Sequence, residues 1–353
     1  MKNLVIGEKI AAVPIIQGGM GVGVSLSSLA GAVAKEGGVG IISTAQIGFE
    51  EDDFEKHSED CNLAAIEKHI RKAKEIAQGN GLVGVNVMVA LEGYKAHVKK
   101  AVEAGADVVI CGAGLPTDLP ELVAGSDTKI APIVSSQKAA KVILKMWDRD
   151  YHTTADFIVI EGPKAGGHLG YHMEDLEQID QINFDEIVTK VIEEKHKYEE
   201  KYEKRIPVIV GGGVFDHEDI EHFMELGADG VQIASRFVAT TECDASEAYK
   251  KAYIAAKEAD IQLIKSPVGM PGRAVKNAFM EKVQKESLPI HKCYRCLKTC
   301  DPSNTPYCIT KALTDAVRGD VENGLVFCGA NTDRIHRIVS VHDLMQDLLK
   351  TLL

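Results

Sequence analysis

The chain has 353 residues, 45% of them hydrophobic and 26% charged, and carries a formal net charge of −12 at pH 7. This composition is ordinary for a globular domain, and the acidic balance excludes a broad nucleic-acid-binding face, which needs clustered Lys and Arg. No segment approaches the ~20 apolar residues of a membrane span, and the start of the chain, interrupted by Glu8 and Lys9, does not read as a secretory leader.

Short apolar runs alternate with helical stretches from the N-terminus onward. A buried strand is predicted at 13–16 (VPII), then a Gly-rich loop and a helix from about Ser25 to Glu36. Further strands follow at 39–42, 82–89, 107–111, 129–134, 156–160, 206–212 and 230–234. Amphipathic patterns such as 94–106 and 217–228 lie between most of them. Runs of Val and Ile without polar alternation indicate strands covered on both faces, hence a parallel sheet. Eight βα units ending near residue 260 predict an α/β fold of the TIM (β/α)8 barrel type, with a doubly wound open sheet as the alternative.

Two acidic stretches, 49–60 and 193–204, read as solvated faces. Beyond residue 261 the rhythm fails. We expect a barrel domain over 1–261, a small, mostly helical lid lobe over 262–330, and a final helix within 331–353 that closes back on the barrel. Of the eight cysteines, Cys293, Cys296, Cys300 and Cys308 cluster in this lobe. Their spacing could suit Zn²⁺ or an iron–sulfur cluster. Arg295 and Lys298 lie among them, however, and Pro302 and Pro306 interrupt the run. The expectation is therefore no metal, with reduced thiols packed between lobe and barrel, in a cytoplasmic protein.

Active sites of TIM barrels sit at the C-terminal ends of the strands. Glycine is concentrated there, in QGGMGVG (17–23), CGAG (111–114), EGPKAGGHLG (161–170) and GGGVFD (211–216). Taken alone, EGPKAGGHLG is a surface turn or a place where a ligand lies against the main chain. The loops after strands seven and eight commonly hold a phosphate on backbone N–H groups and a helix N-terminus, and GGGVFDHED offers Asp216 as an N-cap with Asp219 three residues on. GGMGVG lacks the final glycine of a dinucleotide fingerprint, and no acid follows the second strand. A glycine-lined mouth, a phosphate loop and one loop histidine together suggest an FMN-type cofactor.

The segments PIIQGGM, GVNVM, EGPKAGGHLG, VIVGGGVFD and GADGVQIASRF, in this order, resemble the nitronate monooxygenase (2-nitropropane dioxygenase-like) family, which includes FabK-type enoyl-ACP reductases. The resemblance spans about residues 10–245. It implies FMN at the barrel mouth, with Gly18, Gly19 and Met20 near the flavin ring and Asn86 at its polar edge. Gly166 and Gly167 would pass beside the cofactor. Gly212, Gly213, Gln232, Ala234 and Ser235 would hold its phosphate. Glu161 stands where many relatives carry Gln. His168 would face the substrate as the catalytic side chain.

Two activities fit that site. A nitronate monooxygenase oxidises a small alkyl nitronate with O₂ and needs no nicotinamide. An enoyl-ACP reductase uses NAD(P)H and must meet an acidic carrier protein, for which Lys265, Arg273, Lys276, Arg295 and Lys298 could form a basic rim. We expect the first, with a small-molecule substrate, no nucleic-acid or membrane partner, and a homodimer as the candidate assembly. A non-catalytic flavin-binding redox sensor built on the cysteines is the reading from another class.

Overall fold

The computed structural model describes residues 2–350. Eight parallel strands close into a barrel: Ile15–Gln17, Val39–Ser43, Leu82–Met88, Val108–Gly112, Lys129–Val134, Ile158–Glu161, Val208–Gly211 and Gly230–Ile233. Each pairs with the next, and the eighth closes on the first through Val231–Ile15 and Ile233–Gln17. The open-sheet alternative is thereby removed.

Alternation along each strand explains the uninterrupted apolar runs. Ile16, Ile41, Val159 and Ile209 point into the barrel, while Ile15, Ile42, Ile158, Ile160, Val208 and Val210 pack outward against helices. Both faces are dry, so neither can be polar. The floor is closed by a feature the sequence did not announce. Strands Leu4–Ile6 and Lys9–Ala11 form an antiparallel hairpin, and Leu4, Ile6 and Ala11 complete the interior core.

Helices Ser27–Lys35, Ser58–Ala77, Tyr94–Glu103, Gln137–Tyr151, Phe184–Tyr202 and His217–Glu225 wrap the barrel. The first has no side-chain cap of its own. The carboxylate of Asp244 instead accepts N–H groups from Leu26, Ser28 and Leu29, at 2.8, 3.1 and 3.1 Å. Asp216 and Asp219 form the reciprocal capping box expected of helix His217–Glu225.

The lobe is less helical than its composition suggests. It contains helices Ala278–Val283 and Ile309–Arg318, but it opens with an antiparallel hairpin, Ile261–Lys265 with Pro271–Val275. The sequence predicts a mostly helical lobe there. Pro271 and Gly272 begin a strand by pairing with Lys265 and Ile264, and on its other edge Gly272 and Arg273 pair with His168 and Gly167. The final helix runs Val341–Leu349, and the predicted end of that helix, 351–353, lies outside the described residues. No helix among the described residues is long and apolar enough to cross a membrane.

Candidate active site

Parallel register lines up the upper ends of the strands. Glu161 sits beside Gly211, Gly211 beside Gln232, and Ser43 beside Asn86. The cavity above them is lined by all the cofactor-binding and catalytic candidates from the sequence: Gly18, Gly19, Met20, Asn86, Glu161 and Gly166, with Gly167, His168, Gly212, Gly213, Gln232, Ala234 and Ser235.

Two glycines show why bulk is excluded. A Cβ on Gly19 would fall 2.5 Å from the Cβ of Asn86. Gly212 has φ of +82°, and a Cβ there would fall 2.5 Å from the Gly162 nitrogen. Gly166 clears space for the protein itself. A Cβ at this position would meet the Cys328 backbone at 2.6 Å, so the lobe itself comes down onto the loop.

Asn86, Gln232 and Lys164 project into the cavity without a side-chain hydrogen bond or ion pair to the protein among the described residues. Lys164 was passed over in the sequence, although it is the one cation of the EGPKAGGHLG loop. It lies beside Gly213, where a Cβ would touch its side chain at 3.4 Å. An anion could be held between Lys164, the main chain at Gly212 and Gly213, and the N-terminus of the short helix Ser235–Val238, which has no side-chain cap. The longer helix that follows the seventh strand is not available for this purpose, because Asp216 already accepts the Asp219 N–H. Ser235 Oγ accepts the Gly329 N–H at 3.1 Å, which leaves its own proton free to donate.

His168 belongs to a two-residue strand stitched to the lobe rather than to the barrel. Its Nε2 is 2.7 Å from Ser266 Oγ, and its ring meets Phe327 edge-on at 4.9 Å. Burial pulls its pKa down to about 4. The ring is therefore neutral at physiological pH, not poised near neutrality as the type of residue alone would suggest. Glu161 is shifted the opposite way. Burial pushes it up to about 7, against the opposing effects of the Gly170 N–H, which donates to Oε2 at 2.7 Å, and of Arg273. The Arg273 guanidinium donates to the carbonyls of Ala165 and Pro163, which fastens the loop that carries His168. It is buried and so cannot serve as a rim residue.

The sequence also gave no sign of the strap at 327–331. Phe327, Cys328, Gly329 and Asn331 line the cavity, and Asn331 donates to the Gly213 carbonyl at 2.9 Å. Tyr249 and Tyr253 close the same side, with Tyr253 donating its hydroxyl to the Phe327 carbonyl. Such long-range coverage leaves no local pattern in the chain. The clustered cysteines do not pack as a single buried set. Cys293 is exposed, whereas Cys296, Cys300 and Cys308 are half-buried, and burial raises the thiol pKa of these three. Among the described residues no three His, Cys, Asp or Glu side chains are grouped to hold a metal ion.

A probable nitronate monooxygenase of Staphylococcus aureus (strain JH9) is 24% identical over 297 residues, 76% of this chain and 77% of the relative. One from Staphylococcus saprophyticus is 28% identical over 169 residues, 48% of this chain but only 41% of the relative. Among solved structures, FabK from Thermotoga maritima superposes with a TM-score of 0.72 at 26% identity, covering 96% of this chain and 92% of that one. A nitroalkane oxidase from Streptomyces ansochromogenes shares the fold, with a TM-score of 0.72 at 20% identity over 96% of this chain and 95% of its own. The family model described as nitronate monooxygenase matches residues 5–351. Because that match takes in the floor hairpin, the barrel, the glycine-lined mouth and the lobe together, the chain belongs to the nitronate monooxygenase family of oxidoreductases.

Proposed function

We propose that the protein is an FMN-dependent nitronate monooxygenase that converts a small alkyl nitronate and O₂ to a carbonyl compound and nitrite. The observation that carries this reading is the set of unpartnered polar groups around a glycine-lined cavity. Asn86, Gln232 and Lys164 present these groups at the same mouth where the main chain turns through positive φ at Gly212 and Gly213. FMN, when bound, accepts electrons from the substrate and passes them to O₂. Lys164, the Gly212–Gly213 main chain and Ser235 would hold its phosphate, and Asn86 its polar ring edge. His168, neutral and anchored by Ser266, donates a hydrogen bond to the anionic substrate. Phe327, Tyr249 and Tyr253 exclude water from that face.

A second reading, NAD(P)H-dependent reduction of an enoyl thioester, draws support from the likeness to Thermotoga FabK. Under it an acyl carrier protein would be the partner. Anaerobic mixing of the yellow protein with propionate-3-nitronate or with NADPH separates the two. Bleaching of the flavin by the nitronate alone supports the first reading. Bleaching by NADPH alone overturns it in favour of the second. A colourless protein that FMN does not reconstitute overturns both.

A further inference from the structure

The cysteines of the lobe have no part in the site described above. Cys293, Cys296 and Cys300 lie in an irregular loop, and Cys308 stands at the N-cap of helix Ile309–Arg318. The middle of the loop is seated on the rim of the barrel, just beyond the strand whose Met88 lines the mouth. There the Glu92 N–H donates to Cys296 O at 3.2 Å and the Lys298 N–H to Ala90 O at 3.1 Å, with Leu297 bridged to Leu91. Lys298 Nζ adds a bond to the Val89 carbonyl at 2.7 Å. Nothing comparable fastens the two ends of the segment, Cys293 and Cys300.

The four thiols neighbour one another in pairs and do not converge on one point, since no three of them are grouped to hold a metal ion among the described residues. Of the other thiols, Cys293 acts most strongly on Cys300, and Cys308 on Cys296. The second pair is held by the start of the helix: the N–H groups of Thr310 and Lys311 meet Cys308, and the Thr310 hydroxyl meets Cys296. The first pair has few competing contacts. Cys293 Sγ accepts only the Arg295 N–H, at 3.4 Å, and Cys300 Sγ has no hydrogen bond among the described residues. Cys293 is also the exposed member of the four, the thiol that a small oxidant in solution reaches first. Adjacent thiols of which one is open to solvent are the arrangement in which a sulfenic acid is resolved to a disulfide.

We infer that Cys293 and Cys300 are a modification site, joined by hydrogen peroxide in a reversible disulfide that closes loop 293–300 against the barrel rim. The Cys293 sulfur attacks one peroxide oxygen and the O–O bond breaks, giving a sulfenic acid and one water. The Cys300 sulfur then attacks the oxidised sulfur, the S–S bond forms, and the second oxygen leaves as water with the Cys300 proton. Both thiols are oxidised, by one electron each, and the peroxide is reduced to two waters; exchange with a small thiol reverses the bond.

Peptide mapping of the full chain tests this. The protein is treated with hydrogen peroxide, alkylated and digested with trypsin without reduction. Cleavage after Lys292, Arg295 and Lys298 puts Cys293 in CYR, Cys296 in CLK, and Cys300 with Cys308 in TCDPSNTPYCITK. CYR should be found joined to TCDPSNTPYCITK with Cys308 alkylated, and dithiothreitol should release it. Cys300→Ser should abolish the joined peptide and Cys308→Ser should keep it. Oxidised wild type should melt about 3 °C above reduced, as closure of so short a loop predicts, and Cys293→Ser should show no such difference. CYR recovered alkylated and alone after peroxide overturns the inference, as does CYR joined to CLK or to Cys308. A joined peptide without a difference in melting temperature overturns the closure of the loop. About one zinc per chain, bound through these thiols, overturns the site altogether. Neither readout uses turnover, so the outcome is independent of the activity proposed above.

Discussion

Glu161 is the most exacting test of the site's electrostatics, because burial holds its carboxyl well above the ordinary range. Its carboxyl shifts from an ordinary 4.5 to about 7 in the fold. A group that holds its proton more tightly when folded stabilises the protein fully below the unfolded pKa, and that contribution is lost as pH rises through the folded one. With about 1.36 kcal/mol per pKa unit, the loss between pH 5 and pH 8 comes to about 2.5 kcal/mol, less whatever water in the cavity screens. For a chain of 353 residues, an unfolding entropy of about 2.1 cal/mol/K per residue converts this to about 3 °C. Glu161→Gln removes the titration and keeps an oxygen for the Gly170 N–H. Other titrating groups, His168 and His69 among them, cancel in the difference between the two proteins. Differential scanning calorimetry should therefore find the variant gaining about 3 °C on wild type between pH 5 and pH 8. A difference that stays flat over that range would mean Glu161 ionises as in water, and the reasoning about its burial would fail.

His168→Ala should leave FMN bound and lower turnover by roughly 10²-fold. Ser266→Ala should lower it less and shift the acid limb of the pH–rate profile, because the hydroxyl only positions the imidazole; wild-type kinetics in both variants would remove the histidine from the chemistry. Gly213→Val should weaken FMN binding at least tenfold in a fluorescence titration, since φ of +138° strains any β-branched residue; unchanged affinity would place the phosphate in another loop.

The barrel was legible because its determinants are local. Eight Val/Ile runs with helices between them report a parallel sheet, and the glycines at the strand ends report close main-chain approach. The lobe was not, because its determinants are distant. Pro271–Val275 pairs locally with Ile261–Lys265, but its other edge is fixed by Gly167 and His168 about a hundred residues earlier. The same distance hid Ser266 behind His168 and the strap over the Gly212–Gly213 loop. Lys164 was visible and overlooked, as a lone cation in a loop whose glycines drew the eye. The pKa of His168 could not be read from its neighbours in sequence, since Phe327 and the hairpin supply the burial.

The proposed cofactor cradle and the proposed reactive side chain are mounted on different parts of the architecture. Asn86, Gly212 and Gln232 ride on the closed barrel, whereas His168 is sewn to a hairpin of the lobe. Exchanging the hairpin and strap for those of a relative would re-aim the imidazole and reshape the lobe side of the cavity without disturbing the proposed flavin seat on the barrel. The fold is in this sense a chassis with an interchangeable head, and new specificities are best sought by grafting at residues 261–275 and 327–331 rather than by rebuilding the barrel mouth.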